Sequence, residues 1–153
     1  GASGRTGRLI LQLLCQRSIS TLAIASSQKS ATKLEQAASG GRVAVATCDM
    51  RDDGARMRLR ELMEQYAATD VVNAAGYVPS FIATDDAAAA EAVDFAGAVR
   101  LIEAAEDVRL SGRFVHVTSL LTELATPNLS YQVDQTSRPL RNCPATKMSH
   151  ENV

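Results

Sequence analysis

Three glycines at a spacing of three residues open the sequence, as Gly1, Gly4 and Gly7 in the stretch GASGRTGR. The residues that follow, RLILQLLCQR, place apolar side chains at helical spacing. A glycine loop that leads directly into a helix offers the tight turn, the close backbone approach and the free N–H groups that bind a diphosphate. Such a triplet also occurs by chance in glycine-containing loops. The helix and strand patterns that follow favour a dinucleotide-binding loop.

Polar side chains in the same loop suit phosphate binding. Ser3 and Thr6 supply hydroxyl donors, and Arg5 supplies a positive charge. The start of the helix adds the positive end of its dipole. These residue types therefore predict contacts with the pyrophosphate of a dinucleotide.

The residues after the next strand pattern bear on the choice of dinucleotide. An NAD site usually has Asp or Glu at this point, which holds the ribose 2′-OH. This sequence has ASSQKS instead, with Ser26, Ser27 and Lys29 available to a 2′-phosphate. The pattern predicts NADP in preference to NAD. The alternative is that Lys29 is an ordinary solvated surface residue.

Composition and charge exclude several classes of function. With 153 residues and a formal net charge of −1, the chain has no electrostatic case for binding nucleic acid or an anionic membrane. No apolar run reaches about 18 residues, the length that a membrane-spanning helix needs. Three cysteines without CxxC spacing argue against a disulfide framework or a zinc site and favour a reducing compartment. The two histidines are too scattered for a metal cluster, and His116 in RFVHVTS is typical of a strand histidine.

Strand and helix patterns alternate along the chain and must position these residues. Apolar and β-branched runs predict strands at 22–25, 42–49, 70–76 and 112–119, and helical spacing predicts helices at 5–17, 30–39, 53–68 and 84–108. This alternation predicts an α/β, Rossmann-type doubly wound parallel sheet, with the glycine loop at the carboxyl edge where ligands bind. A central strand ahead of Gly1 is expected to complete the sheet, so residues 1–153 form a partial dinucleotide-binding domain. The irregular segment 120–143 is long enough to be functional or disordered.

Five segments carry a resemblance to a known family. In chain order they are GASGRTGR, TCDMRDD, VVNAAGYVPS, VDFAGAVRLIEAA and RFVHVTS. Together they resemble the atypical short-chain dehydrogenase/reductase family, especially its NmrA-like and plastid NADP-binding branch, which includes a redox subunit of the chloroplast inner-envelope translocon. The resemblance implies a plastid as one candidate compartment, and a substrate lobe later in the chain. It implies a structural role for Asp94 and Gly97 in the VDFAG segment.

The resemblance also assigns cofactor contacts. It implies that the glycine loop holds the pyrophosphate. Asp49 would accept a hydrogen bond from the adenine amino group, with Met50 against the ring. Ala74, Ala75 and Gly76 would line the cofactor, because small residues let it lie close to the backbone.

The catalytic positions depart from the family pattern. The resemblance implies that Ser119 lies near the nicotinamide and that Lys147 is the lysine of the family's Tyr-x-x-x-Lys motif, which also holds the ribose. The tyrosine position is Cys143, whose side chain is shorter and which Pro144 places at or before the helix start. Tyr131 is too far along the chain to replace it without a special fold-back. The usual proton donor is therefore expected to be absent.

Three functions follow from these observations. The first is an NADP(H)-binding protein with weak or no turnover, acting in redox sensing or as a scaffold. The second is an NADPH-dependent reductase of a quinone-like or carbonyl substrate. The third is a structural subunit of a larger assembly with a vestigial cofactor pocket, for which the segment 120–144 would be the partner surface.

Overall fold

Strands and helices alternate along the computed structural model, which describes residues 1–37, 42–77 and 87–117. The elements are α1 (Arg5–Gln16), β1 (Thr21–Ala25), α2 (Gln28–Ala37), β2 (Val43–Thr47), α3 (Ala55–Gln65), β3 (Val71–Asn73), α4 (Ala87–Ala90), a π-helical segment (Glu91–Gly97), α5 (Ala98–Asp107) and β4 (Phe114–His116). Their order confirms the predicted alternation. None of these helices is both long and apolar enough to cross a membrane.

The strands form two parallel pairs. β1 pairs with β2 from Thr21↔Val43 to Ala25↔Thr47, and β3 pairs with β4 from Val71↔Phe114 to Asn73↔His116. Within the described ranges the two pairs are not hydrogen-bonded to each other. Residues of β1 and of β3 both line one cavity of about 1070 Å³. The parallel pairing confirms the predicted α/β architecture.

The helices cover both faces of the strands, as a doubly wound sheet requires. Along β1, the side chains of Leu22 and Ile24 contact a core cluster formed with α3 and α5. The alternate residues Ala23 and Ala25 belong to a second cluster with α2. Since successive side chains of a strand point to opposite faces, one short strand contributes to two cores. The most deeply buried large side chains are Leu34, Leu59 and Leu62.

Within the described ranges, three helices are followed by a non-glycine residue in the left-handed conformation. Ser18 follows α1 with φ 56°, Ala67 follows α3 with φ 47°, and Arg109 follows α5 with φ 51°. After α1, the Ile19 N–H reaches back to the Leu14 carbonyl at 3.0 Å. This bond closes the helix end and turns the chain toward the next strand.

Candidate functional site

The glycine loop lies against the carboxyl end of β3. A Cβ atom on Gly1 would overlap the backbone of Ala74 and Ala75, coming within 2.6 Å of the Ala74 carbonyl oxygen. A Cβ atom on Gly7 would overlap the Gly1 carbonyl oxygen and lie 2.8 Å from the Cα of Ala2. Because these neighbours are all backbone atoms, a side chain at either position would displace the loop.

The same loop leaves the start of α1 open toward a ligand. Gly4 precedes the helix with an extended backbone (φ −71°, ψ 173°), and its N–H donates to the Gly1 carbonyl at 3.0 Å. Gly4 makes no side-chain cap, and the first turn contains no acidic residue. The N–H groups of residues 5–7 therefore face the site without an intrahelical acceptor, together with the positive end of the helix dipole. An anion fits this position.

The carboxyl end of β2 supplies a second wall, held together by an ion pair. The Arg51 guanidinium donates to both carboxylate oxygens of Asp49, with Nε–Oδ1 at 3.0 Å and Nη2–Oδ2 at 2.6 Å. These hydrogen bonds hold the pKa of Asp49 below its ordinary value, so the carboxylate is charged at neutral pH. The following residue, Met50, is fixed from α5, because Arg100 donates to its carbonyl at 3.1 Å. A Cβ atom on Gly97 would lie 3.1 Å from that of Met50, so the small residue lets the π-helical segment approach this wall.

The turn after β3 forms the third wall and is anchored at two points. Asn73 is buried, and its Oδ1 accepts a hydrogen bond from the Ala75 N–H at 3.0 Å. Its Nδ2 lies 3.0 Å from Nδ1 of His116. Asp94 accepts a hydrogen bond from the Tyr77 N–H at 2.7 Å. Burial lowers the pKa of His116, and the Asp94 carboxylate acts in the opposite direction.

One cavity brings most of the predicted cofactor residues together. The predicted residues that line it are Gly1, Ser3, Gly4, Gly7, Ser26, Asp49, Met50, Ala74, Ala75 and Gly76. Four others, Arg5, Thr6, Ser27 and Lys29, are exposed side chains that do not line it. Ser119 and Lys147, with Cys143, lie outside the described residues, and their roles stay predictions.

Ser27 has a structural role that its type also permits. Its Oγ accepts a hydrogen bond from the Ser30 N–H at 3.3 Å and donates to the Ser30 hydroxyl at 3.1 Å. This arrangement caps the start of α2, as serine commonly does. A contact between Ser27 and a cofactor stays a prediction.

Sequence reasoning missed two groups of the site. Arg51 lines the cavity and compensates the charge of Asp49. In the sequence, nothing distinguishes it from an ordinary surface arginine. The pair of Asn73 and His116 depends on the register of β3 and β4, in which the two residues are direct partners. The available signal was one polar residue in each of two apolar strand patterns.

Comparisons with known proteins agree with this geometry. A family model described as the NAD dependent epimerase/dehydratase family matches residues 1–152. The chain is 32% identical over 157 residues to a 4-hydroxy-2-methyl-3-oxo-4-farnesyl-3,4-dihydroquinoline-1-oxide ketoreductase from Stigmatella aurantiaca, a match that covers 100% of this chain and 43% of that protein.

Solved structures share the fold. A short-chain dehydrogenase/reductase double mutant from Serratia marcescens superposes with a TM-score of 0.66 at 23% identity, over 80% of this chain and 54% of that chain. An oxidoreductase of the short-chain dehydrogenase/reductase family from Burkholderia thailandensis gives 0.65 at 22% identity, over 78% and 49%. The chain thus spans about half the length of the proteins it matches.

Proposed function

The chain belongs to the NAD dependent epimerase/dehydratase family, and from that premise we propose that it is an NADP(H)-dependent reductase of a ketone or quinone-like substrate. Its family binds NAD(P) and carries out short-chain dehydrogenase/reductase or epimerase chemistry. The preference for NADP and the class of substrate are the finer parts of this proposal. Each has its own support in the chain.

The glycine loop carries the part of the proposal that concerns dinucleotide binding. Gly1 and Gly7 occupy positions where a Cβ atom would overlap backbone, and the loop residues 1–4 line the cavity. The pyrophosphate would accept hydrogen bonds from the N–H groups of residues 5–7, with the Ser3 hydroxyl beside them. The Ala74–Ala75 backbone on the opposite side would keep the dinucleotide extended across the strand ends.

The residues at the ends of β1 and β2 support NADP. The exposed Ser26 and Lys29 follow β1 in a stretch with no carboxylate to repel a 2′-phosphate. At the end of β2, Arg51 compensates the charge of Asp49. We propose that the positive charges of Lys29 and Arg51 attract the 2′-phosphate to this end of the cavity, while Asp49 and Met50 contact the adenine.

The ketoreductase relative supports the reaction. The name of that relative describes a ketoreductase of a 3-oxo-3,4-dihydroquinoline-1-oxide, which is a cyclic ketone. The reduced nicotinamide supplies the hydride when it is bound. Ser119 would hydrogen-bond the substrate carbonyl and Lys147 would hold the ribose. With Cys143 at the position of the usual tyrosine, the proton for the carbonyl oxygen would come from water or from a residue elsewhere in the protein.

A second candidate is binding without appreciable turnover. Cys143 at the tyrosine position favours it, because the usual proton donor is missing there. The redox-sensing or scaffold role and the NmrA-like and plastid interpretation belong with this candidate and stay predictions. The partner surface at 120–144 belongs with the structural-subunit alternative and also stays a prediction. The structural-subunit alternative differs in that it binds no dinucleotide.

Calorimetry and stopped-flow kinetics separate these candidates. NADPH and NADH are titrated into the protein, and NADPH oxidation is then followed after mixing with a quinone or a cyclic ketone. Tight NADPH binding with turnover supports the reductase. Binding without hydride transfer to either acceptor favours the second candidate, and absence of binding by both dinucleotides would refute the proposal.

A further inference from the structure

The buried side chain of Asn73 links two strands to the turn that faces the cofactor site. Asn73 is 4% exposed and sits at the end of β3, directly opposite His116 in the parallel register with β4. Its Oδ1 accepts from the Ala75 N–H at 3.0 Å, and its Nδ2 lies 3.0 Å from the His116 Nδ1. Ala75 is also one of the residues whose backbone touches Gly1.

The hydrogen-bond donors on either side of the Asn73 side chain determine the tautomer and the charge of His116. A backbone N–H can only donate, so the Asn73 oxygen must face Ala75 and the amide nitrogen must face His116. The amide nitrogen also only donates, so Nδ1 of His116 must accept. The imidazole is therefore neutral, with its proton on Nε2.

Protonation of His116 would break this sequence of bonds. A proton on Nδ1 would place two donors face to face between Asn73 and His116. Rotating the amide would satisfy the imidazolium but would set the NH2 group against the Ala75 N–H. Either way, one partly buried hydrogen bond is lost, and the loss falls within a turn that contacts the glycine loop.

We propose that His116, acting through Asn73, is a positioning residue for the Ala74–Gly76 turn, and that its protonation loosens this turn and weakens dinucleotide binding. The statement about binding rests on the proposed function, whereas the link between His116 and Ala75 does not. His116 makes no contact with substrate or cofactor in this proposal. It acts on the backbone that does.

The charges around His116 set the direction of the effect. Burial disfavours the imidazolium and lowers the pKa of His116, while the Asp94 carboxylate on the π-helical segment raises it. Among the described residues, Asp94 is the charged group that affects the pKa of His116. The side chain of β3 that contacts His116, Asn73, is uncharged. Because the pKa in the ordered turn lies below that of a free histidine, about 6.5, the ordered turn is favoured above that pH and is lost as the pH falls below it.

Three variants give distinct results. His116→Asn offers an oxygen near the place of Nδ1 that accepts from Asn73 and does not titrate, so the pH dependence disappears. His116→Leu leaves the Asn73 amide without an acceptor, so the turn is loosened at every pH. Asn73→Asp accepts from both neighbours and stabilises the imidazolium, so the pKa of His116 rises above its ordinary value and the dependence on pH reverses.

The first measurement is NMR on the labelled protein without dinucleotide. It reads the tautomer and the pKa of His116 and the protection of the Ala75 amide against hydrogen exchange. We expect the Nε2–H tautomer, and a loss of Ala75 protection that follows the His116 titration in the wild type but not in His116→Asn. Equal loss in both proteins, or a neutral imidazole protonated on Nδ1, would overturn the proposal.

The second measurement is the NADP+ dissociation constant between pH 7.5 and 5.5. Uptake of one proton can weaken binding by at most about tenfold per pH unit. The 2′-phosphate titrates in the same range, so the test is the ratio of wild-type to His116→Asn affinities. We expect that ratio to decrease as the pH is lowered from 7.5 to 5.5, and a constant ratio would contradict the effect on binding. If the wild type bound no dinucleotide while Ala75 still followed His116, the proposed function would be wrong and the link between His116 and the turn would stand.

Discussion

The substitution Gly7→Ala is the most direct test of the glycine loop. The added Cβ atom would overlap the Gly1 carbonyl oxygen and stand 2.8 Å from both the Gly1 carbonyl carbon and the Ala2 Cα. Carbon atoms prefer about 3.5–4.0 Å. Since the obstructing atoms are backbone, no side-chain rotation relieves the overlap, and the loop must move by roughly 1 Å.

A displacement of this size is larger than a hydrogen-bonded phosphate tolerates. Each hydrogen bond to a charged group contributes about 1.5–3 kcal/mol, so losing one or two costs about 3 kcal/mol of binding free energy. This corresponds to a dissociation constant for NADPH that is about 100-fold higher. Overpacking also destabilises the fold by about 1–3 kcal/mol, so the variant is assayed at a temperature well below its midpoint of thermal unfolding.

Gly54→Ala is the matched control. Gly54 precedes α3 as Gly4 precedes α1, but a Cβ atom there would meet nothing within 4 Å. Calorimetric titration should give the wild-type affinity for NADPH in this variant. The reasoning is refuted if folded Gly7→Ala binds NADPH within about threefold of the wild type, a difference of about 0.7 kcal/mol.

Three further predictions concern specificity, the cofactor turn and stability. Lys29→Glu should reduce the ratio of NADPH to NADH affinity by about tenfold, measured by calorimetry, because a carboxylate repels the 2′-phosphate and accepts from the 2′-OH; an unchanged ratio would assign Lys29 to the solvated surface. Asp94→Ala should weaken NADPH binding by about 1 kcal/mol, because the Tyr77 N–H loses its acceptor, whereas Asp94→Asn retains an oxygen and should bind more tightly than Asp94→Ala. Ala67→Gly should raise the free energy of unfolding by about 0.5–1 kcal/mol, because glycine adopts φ 47° without steric cost, and Ala67→Val should lower it in the same thermal unfolding assay.

The regular elements were predictable because their signals are local. TLAIA and VAVAT are short, nearly continuous apolar runs, which are typical of buried strands. The leucines after the glycine loop fall on helical spacing. Parallel pairing followed from the alternation of strands with helices. The π-helical segment at Glu91–Gly97 was not predicted, since the propensity of an alanine-rich stretch does not distinguish it from an ordinary helix. Its position beside Met50 and Tyr77 shows that tertiary contacts accompany it.

The site was predictable as a location and less so as a set of contacts. Glycine spacing located the loop, because only a residue without a Cβ atom fits where two backbone segments approach closely, and that requirement is visible in the residue type. The serine after β1 was ambiguous, since the same hydroxyl that could meet a phosphate caps α2 at Ser27. The bond between Asn73 and His116 joins residues 43 positions apart and exists only once the register of β3 and β4 is set. No local pattern contains that register.

The core cluster between α3 and α5 has a consequence for cooperativity. Leu22 of β1 and Val71 of β3 both contact this cluster, so the two strand pairs share one set of buried side chains. Loss of packing in the cluster therefore weakens both pairs at once, and the amides of β1 and β3 should lose protection against hydrogen exchange together.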